Sequence, residues 1–449
     1  MASIPHVLAR IKQNPAGLLH RSSILKVCNE LDHHWRDRQL DPATTLALFV
    51  QQIIHGNTPC SEVRHIAGKN FSASAYCQAR SRLPLAVCQA MLTKVTEAAL
   101  PATCLPCHLY NGHRLFHLDG STFSMPDTEE LRKVFGGPTG QKPGCGFPAA
   151  HLLVMFHAQT GFLMDAWASR LNTGDMSQAD EAHRHLSPGD VVLGDDTFSN
   201  YVHLALLLQA NLHGIFPVHH LRIVDFAANR PYSCPGKTPV KGLPRSRWIK
   251  SLGEEDQLVE YFKPTDKPEW MSQQQYDTLP PSIVVREIRR NVCPPGMGSL
   301  TVTIVTTLLD PEKYPASELV QLRLRRWDVE TNIGHLKTTM KMDVLHCKTE
   351  AGVRKELAIF CLVYNMVRMV MLEAARRQDV PVDRISFADA YKWIRHARRG
   401  DVLPALMVVP HRPGHIEPRC KKRRPKQYDL MNKPRRVLQE ELRNERKTD

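Results

Sequence analysis

The chain has 449 residues, of which 42% are hydrophobic and 23% charged, the composition of a soluble globular protein with several domains. Lys and Arg number 59 against 45 Asp and Glu, a net charge of +14. Such an excess favours a polyanionic partner such as nucleic acid, although a basic enzyme of another kind has the same balance. The 12 cysteines lack regular spacing, which argues against a disulfide framework.

Two apolar patterns bear on cellular location. Residues 1–17 contain no continuous apolar segment, so we predict no secretory signal and expect a cytoplasmic protein. The most apolar stretch, residues 357–372, contains Asn365 and Arg368. It therefore predicts a buried helix and no membrane span.

Short helices are predicted in the first hundred residues. The first lies between Asp41, an N-cap, and Gly56, and two more follow before residue 83. The last of them carries Arg80 and Arg82. Three short helices with tight turns and arginines on the last are typical of a helix-turn-helix DNA reader, but a plain helical packing domain fits the pattern equally well.

Strands and helices alternate in the middle of the chain, which predicts an α/β layer. The predicted strands cover residues 113–119, 151–156, 162–168 and 190–195, and a helix covers about 178–185. Residues 219–300 are rich in Pro, Gly and short β-like runs, and we interpret them as a β-rich insertion. A long helix is predicted to begin at Pro315.

Two aspartates follow predicted strands directly. Asp119 is followed by Gly-Ser-Thr, an expected exit turn, and Asp195 ends the run Asp-Val-Val-Leu-Gly-Asp. Ligands of open α/β sheets gather beyond the carboxyl ends of strands, and Mg²⁺ prefers carboxylate oxygens. These two residues are therefore candidate metal ligands, with Asp196 as an alternative to Asp195.

The helix after Pro315 carries a basic-acidic-basic stripe. At about 100° per residue, Arg326, Glu330 and Lys337 of one continuous helix fall within about 40° of one another. Arg323 lies on the same stripe. Such a stripe is usually a solvated face with i,i+4 pairs. Because this helix is rich in buried-type residues, the stripe also fits a metal-binding carboxylate flanked by cations that hold DNA phosphates.

Three stretches resemble the bacterial insertion-sequence transposases that carry a DDE triad. They are FHLDGSTF around Asp119, VVLGDDTFSNY around Asp195, and RRWDVETNIGHLK around Glu330. The last contains R-x3-E-x6-K, as in the insertion-sequence-four type with its Tyr-Arg-Glu-Lys signature. The family's tyrosine is replaced by Arg323 here. Further similar stretches, such as GNTPCSEVRHI and YNMVRMVM, extend over nearly the whole chain.

The resemblance implies a fold and a division of the chain. It implies an α/β protein with a ribonuclease-H-like core, formed by residues 106–218 and 308–400 and interrupted by the β-rich insertion at 219–307. A helical domain at residues 1–105, expected to bind DNA, precedes the core. A basic tail at 401–449 follows it, and residues 419–436 of that tail include nine Lys or Arg and one acidic residue.

The resemblance also implies an activity, namely cleavage at transposon ends and strand transfer into target DNA. Asp119, Asp195 and Glu330 would hold two Mg²⁺ ions, with Mn²⁺ as a substitute, and Arg323, Arg326 and Lys337 would bind DNA. The implied partners are double-stranded DNA, as terminal inverted repeats and target, and a second copy of the chain in a homodimer on DNA. Whether a DNA hairpin intermediate forms stays open.

Two other functions are compatible with the same residues. One is a ribonuclease-H-like nuclease without strand transfer, and the other is a non-catalytic, transposase-derived DNA-binding protein. We assign no haem or zinc role to Cys104, Cys107 and His108, and no metal role to His219 and His220, because isolated matches of this kind are common. No glycine-rich phosphate loop is present, so ATP dependence is not expected.

Overall fold

The computed structural model describes residues 19–140, 142, 144–234, 240–293, 298–325, 327–397, 401–410 and 431–448. It is a mixed α/β protein with a nine-stranded sheet. The basic run at 419–430 and the predicted DNA contact Arg326 lie outside the described residues. The predicted tail is helical at its end, because α14 spans Arg435–Thr448.

From residue 19 onwards, where the described part of the chain begins, five α-helices precede the sheet. They are α1 (Arg21–Glu30), α2 (Pro42–Ile54), α3 (Cys60–Ala67), α4 (Ala73–Arg82) and α5 (Leu85–Thr103). The three predicted helices are confirmed as α2, α3 and α4. The Asp41 side chain accepts the Thr44 N–H at 2.7 Å and caps α2, while Gly68 ends α3 in the left-handed conformation. Helices α1 and α5 were not predicted.

The sheet has the order β3-β2-β1-β4-β5-β9-β8-β7-β6. Strand β2 is antiparallel to both β1 and β3, whereas β1, β4 and β5 are parallel. The strands are β1 (Leu115–Ser124), β2 (Ala149–His157), β3 (Leu163–Arg170), β4 (Val191–Leu193) and β5 (His213–Pro217). The short helices α6 (Glu129–Phe135), α7 (Ala179–His183) and α8 (Tyr201–Gln209) connect them.

The β-rich region after β5 continues this same sheet. It consists of β6 (Arg247–Gly253), β7 (Asp256–Phe262), α9 (Gln273–Asp277), β8 (Ser282–Val292) and β9 (Leu300–Thr306). Strand β9 pairs antiparallel with β5, with Phe216 opposite Val305. The predicted β-rich texture is therefore confirmed, and β9 joins these strands to the first five through its pairing with β5.

The long helix predicted from Pro315 is confirmed as helical structure on both sides of residue 326. The described residues form α10 (Ala316–Leu324), α11 (Trp327–Gly334) and a π-helical turn at His335–Thr339. The C-cap of α10 is Arg325, whose N–H bonds back to the Gln321 carbonyl. The π-helical turn was not predicted, because apolar and charge periodicity do not distinguish a single such turn from α-helix.

A long buried helix, α12 (Glu350–Gln378), joins the helical layer to the sheet. It packs on α2, α5, β3 and α13 (Phe387–His396). Among the described helices, α12 has the length and apolar composition of a membrane span, but 94% of its apolar window is buried inside the fold. This agrees with the predicted core helix, and it places one hydrophobic cluster between the helical layer and the β1–β3 face.

Glu356 of α12 is fully buried and binds two separate parts of the chain. Its carboxylate accepts the Asn57 amide at 2.5 Å, the His346 N–H at 2.9 Å and the Cys347 N–H at 2.8 Å. Hydrogen bonds to a charged acceptor are stronger than neutral ones. The carboxylate therefore fixes the turn after α2 and the segment after the π-helical turn against α12.

We expect Glu356→Gln to lower the free energy of unfolding by about 2 kcal/mol, because an amide NH₂ would face N–H donors in place of one oxygen. Urea unfolding followed by circular dichroism measures this loss. The matched control is Glu350→Gln on the same helix, since Glu350 is partly exposed and pairs with Arg354; there we expect a change within about 0.5 kcal/mol. Equal effects of the two variants would contradict the role of Glu356.

Candidate active site

The parallel pairing of β1 and β4 brings Asp119 and Asp195 to the same level. Their register ends with His117 opposite Leu193. Asp119 follows His117 by two residues within β1, and Asp195 follows Leu193 by two residues, just beyond the end of β4. Both side chains are half-buried. Two carboxylates from distant parts of the sequence are thus placed next to each other where β4 leaves the sheet.

Asp119 does not end its strand as predicted. It lies inside β1, opposite Val154 of β2, and the expected exit turn at Gly120 is strand that continues to Ser124. The prediction failed because β1 loses its β4 neighbour after His117 but keeps its β2 neighbour on the other side. A strand can thus pass the end of a parallel partner while an antiparallel partner still satisfies its backbone.

Glu330 lies on α11, which packs against β1. Further along, Lys337 in the π-helical turn donates a hydrogen bond from Nζ to Ser121 Oγ at 3.2 Å. Because side chains alternate along a strand, Asp119 and Ser121 project from the same face of β1. The segment that carries Glu330 and Lys337 therefore crosses the face from which Asp119 projects.

The three carboxylates are not drawn into one tight cluster. Among the residues that the structure describes, Asp119, Asp195 and Glu330 do not form a group whose ligand oxygens all lie within 4.8 Å of one another. A two-ion site does not require such a group, because its ions stand about 3.5–4 Å apart and the carboxylates share them. Glu330 is exposed, so solvent and a large substrate reach this face.

The whole candidate site lies within a segment that matches a known protein family. Residues 110–366 match the family model of the transposase DDE domain, which is more than half of the chain. The chain belongs to this family. The matched segment contains all three carboxylates together with Arg323 and Lys337.

Individual relatives of this DDE-domain chain are more distant. It is 24% identical over 318 residues to the transposase InsG for insertion sequence element IS4 of Escherichia coli (strain K12). That match covers 67% of this chain and 62% of the relative, which is less than two thirds of the relative's length.

Two solved structures are similar to this DDE-domain chain at low identity. A piggyBac transposase synaptic complex with hairpin DNA has 10% identity and a TM-score of 0.43, over 86% of this chain and 80% of that one. A pre-cleavage Mos1 transpososome has 8% identity and a TM-score of 0.14, over 40% of this chain and 60% of that one. Both likenesses are too low to carry an argument about this site.

The two adjacent aspartates of the DDE domain face different partners. Asp195 Oδ1 accepts the Thr197 N–H at 2.9 Å and caps a 3₁₀ turn at Asp196–Ser199. Asp196 instead directs Oδ2 towards His220 Nδ1 at 3.3 Å, on the loop after β5. Burial raises the pKa of Asp195, and the neighbouring carboxylates of Asp175 and Asp196 raise it further. A cation bound beside Asp195 would relieve this accumulation of negative charge.

Asp175 is a neighbour of the site that sequence reasoning missed. It begins a 3₁₀ turn at Asp175–Gln178, and its Oδ1 lies 2.6 Å from His151 Nε2 on β2. Gly120 makes room for this carboxylate, since a Cβ built on Gly120 would overlap Asp175 Oδ1. The only signal in the sequence is the glycine that follows Asp119, where the pattern predicts a turn.

We expect Gly120→Ala to destabilise the protein by about 1–3 kcal/mol, because the added methyl group displaces the Asp175 carboxylate. Gly174→Ala is the matched control beside the same aspartate, since nothing lies within 4 Å of its added Cβ. There we expect no loss, or a small gain from reduced unfolded-state entropy. Urea unfolding of both variants measures the difference, and a Gly120→Ala protein of wild-type stability would contradict the overlap.

The predicted DNA-binding residues have different surroundings. Arg323 lies half-buried in the last turn of α10. Burial lowers the pKa of the Lys337 ammonium, while Asp343 raises it. In the N-terminal helices, Arg80 packs inwards, with its guanidinium 3.7 Å from the Phe49 ring centroid and 2.9 Å from Gln52 Oε1. Arg82 is exposed, so it is the arginine of α4 that remains accessible to a DNA backbone.

Proposed function

We propose that this protein is a DNA transposase of the insertion-sequence-four type, which cleaves at transposon ends and transfers the cut strand into target DNA. The observation that carries the proposal is the register of β1 and β4, from which Asp119 and Asp195 each follow by two residues. Helix α11, which carries Glu330, packs against β1. All three residues lie within residues 110–366, the segment that matches the transposase DDE domain, and we propose that they form its triad. The family's Tyr-Arg-Glu-Lys signature would here be Arg323, Arg326, Glu330 and Lys337.

The first five strands support a ribonuclease-H-like core. Their order is β3-β2-β1-β4-β5, with the first three antiparallel and the last three parallel. This arrangement leaves both aspartates at the edge where parallel strands end, the usual position of ligand sites in open α/β sheets. We propose that residues 219–307 are an insertion into this core, and that residues 1–105 bind DNA.

The residues of the site fit hard divalent cations. Asp119, Asp195 and Glu330 offer only oxygen ligands, as Mg²⁺ requires, and Asp195 is half-buried among other carboxylates that disfavour its charge. We propose that the three residues hold two Mg²⁺ ions, with Mn²⁺ as a substitute. When bound, such ions activate the attacking oxygen and stabilise the charge of the phosphoryl transition state.

The chain's own cations would position the DNA. Lys337 donates a hydrogen bond to Ser121, two residues beyond Asp119 in β1, and alternation along the strand puts both residues on the same face. We propose that Lys337, Arg323 and Arg326 bind the phosphates of the transposon end and align one strand with the triad. Phosphate contacts of this kind fix register and orientation without reading bases.

The proposed partners follow from this reaction. They are the terminal inverted repeats of the transposon, target DNA and a second copy of the chain, because both ends must be cut and joined together. We propose a homodimer that forms on DNA, in the bacterial cytoplasm. The net charge of +14 supports binding to long DNA through phosphate neutralisation.

A strand-transfer assay tests the proposed function. The full-length protein is incubated in Mg²⁺ with a linear duplex that carries the inverted repeats flanking its own coding region, together with a target plasmid. We expect cut ends and plasmids joined to the labelled strand. Cutting without joining would identify a nuclease, and binding without cutting would identify a non-catalytic DNA-binding protein. Either result would overturn the proposal.

A further inference from the structure

Two histidines and an aspartate meet beside the proposed active site but outside its triad. Strands β4 and β5 are parallel, with Leu193 opposite Ile215, so both run to the same edge of the sheet. Asp196 lies just beyond the end of β4, and His219 and His220 lie just beyond the end of β5. Parallel pairing thus brings together residues that are more than twenty positions apart in the sequence.

Their ligand atoms have the spacing of a metal site. One ligand atom from each of Asp196, His219 and His220 lies within 4.8 Å of the other two. His220 Nδ1 is 3.3 Å from Asp196 Oδ2, and the two imidazole rings stack with their centroids 4.3 Å apart. Over the described part of the chain, no other group of three His, Cys, Asp or Glu residues has this spacing.

We infer that Asp196, His219 and His220 form a binding site for a divalent transition-metal ion of the zinc or cobalt class. Imidazole nitrogens favour zinc, cobalt and nickel, whereas Mg²⁺ prefers a shell of oxygens. Two imidazoles and one carboxylate therefore select different ions from the all-carboxylate triad. Three protein ligands also leave coordination positions open to water or to a phosphate oxygen.

The side chains are accessible and need little rearrangement. Asp196 and His219 are half-buried and His220 is exposed, so an ion enters from solvent. His219 Nδ1 accepts a hydrogen bond from the Leu221 N–H at 3.2 Å. Coordination through Nδ1 uses the accepting lone pair, and coordination through Nε2 leaves the ring proton on Nδ1, so either mode gives up this bond. It is a single exposed hydrogen bond, which water can replace. The sequence alone did not suggest the site because Asp196 is remote from the histidine pair.

The site is independent of the proposed reaction, so its test uses binding and not cleavage. The full-length protein is titrated with Co²⁺ in excess Mg²⁺, which occupies the carboxylate triad, and the visible d–d absorption of bound cobalt is recorded. We expect one Co²⁺ per chain at this site, displaced by Zn²⁺ but not by Mg²⁺. The His219→Ala/His220→Ala variant should bind Co²⁺ at least about tenfold more weakly.

Two further variants separate this site from others. His34→Ala is the matched control, because His34 forms an exposed pair with Asp32 at 3.5 Å and no described residue completes a group of three ligands there; the Co²⁺ affinity of this variant should equal that of the wild type. Asp195→Asn should also retain binding, whatever its effect on DNA cleavage. Unchanged affinity in the double histidine variant, absence of binding in the wild type, or loss of binding in Asp195→Asn would each overturn the inference.

Discussion

Glu330→Gln is expected to abolish DNA cleavage while it leaves binding to the transposon end nearly unchanged. Glutamine keeps the shape of the side chain but removes the negative charge that holds a cation on α11. Loss of a catalytic metal ion forfeits several kcal/mol of transition-state stabilisation, and each 1.36 kcal/mol is a tenfold change in rate. We therefore expect a fall of about 10³-fold or more in single-turnover cleavage. Because Glu330 is exposed, the fold should not change.

The neighbouring aspartates provide a sharper form of the same experiment. Asp195→Asn should reduce cleavage as strongly as Glu330→Gln, because Asp195 and Asp119 each follow the last paired position of β4 and β1 by two residues. Asp196→Asn should retain cleavage within about tenfold in Mg²⁺ alone, since its carboxylate is directed to His220 and not to the triad. Electrophoretic mobility shifts provide the binding control for all three variants. Loss of cleavage in Asp196→Asn with retention in Asp195→Asn would reverse the assignment.

Local signals in the sequence predicted much of the fold. Asp41 and Gly68 act as helix caps in the structure as they do in the sequence pattern, because capping depends only on residues within one turn. The buried helix around residues 357–372 and the strands near residues 151 and 163 were confirmed for a similar reason. Apolar runs of those lengths have few other ways to be buried.

Features that depend on contacts between two distant segments could not be predicted from the sequence. The length of β1 depends on β2, which keeps Asp119 within a strand after β4 has ended. The approach of Asp175 to Gly120 likewise depends on tertiary packing. The candidate residues Asp119, Asp195 and Glu330 were chosen from local patterns and a family resemblance. Their assignment to the triad stays a prediction until variants are assayed.

The support behind the proposed active site is a buried arginine on α12. Arg368 is 5% exposed and donates from Nε to the Tyr364 hydroxyl at 2.9 Å. It also donates to Asn332 Oδ1 on α11, two residues beyond Glu330. Gly161 provides the space for this guanidinium, because a Cβ at that position would overlap it. The arginine thus connects the long core helix to the helix that carries Glu330.

Arg368→Ala is expected to lower the free energy of unfolding by about 3 kcal/mol or more. The change leaves a cavity and removes the partner of the buried Asn332 amide oxygen, and each effect costs about 1–3 kcal/mol. Arg376→Ala on the same helix is the control, since that side chain is 61% exposed and its buried partner Glu373 keeps the hydrogen bond from Arg377; there we expect a loss below about 1 kcal/mol. Thermal and urea unfolding of both variants measure the difference.

The same variant tests whether Arg368 positions α11 for catalysis, apart from its effect on the stability of the whole fold. Without the Arg368–Asn332 bond, α11 loses its anchor to α12, so Glu330 should shift relative to Asp119. At a temperature where the variant is still folded, we expect Arg368→Ala to cleave DNA at least about tenfold more slowly, since displacements of about 1 Å are costly in catalysis. Arg368→Lys keeps the charge but loses the planar fork, so an intermediate rate is expected. Wild-type cleavage by folded Arg368→Ala would show that Asn332 and its helix need no such anchor.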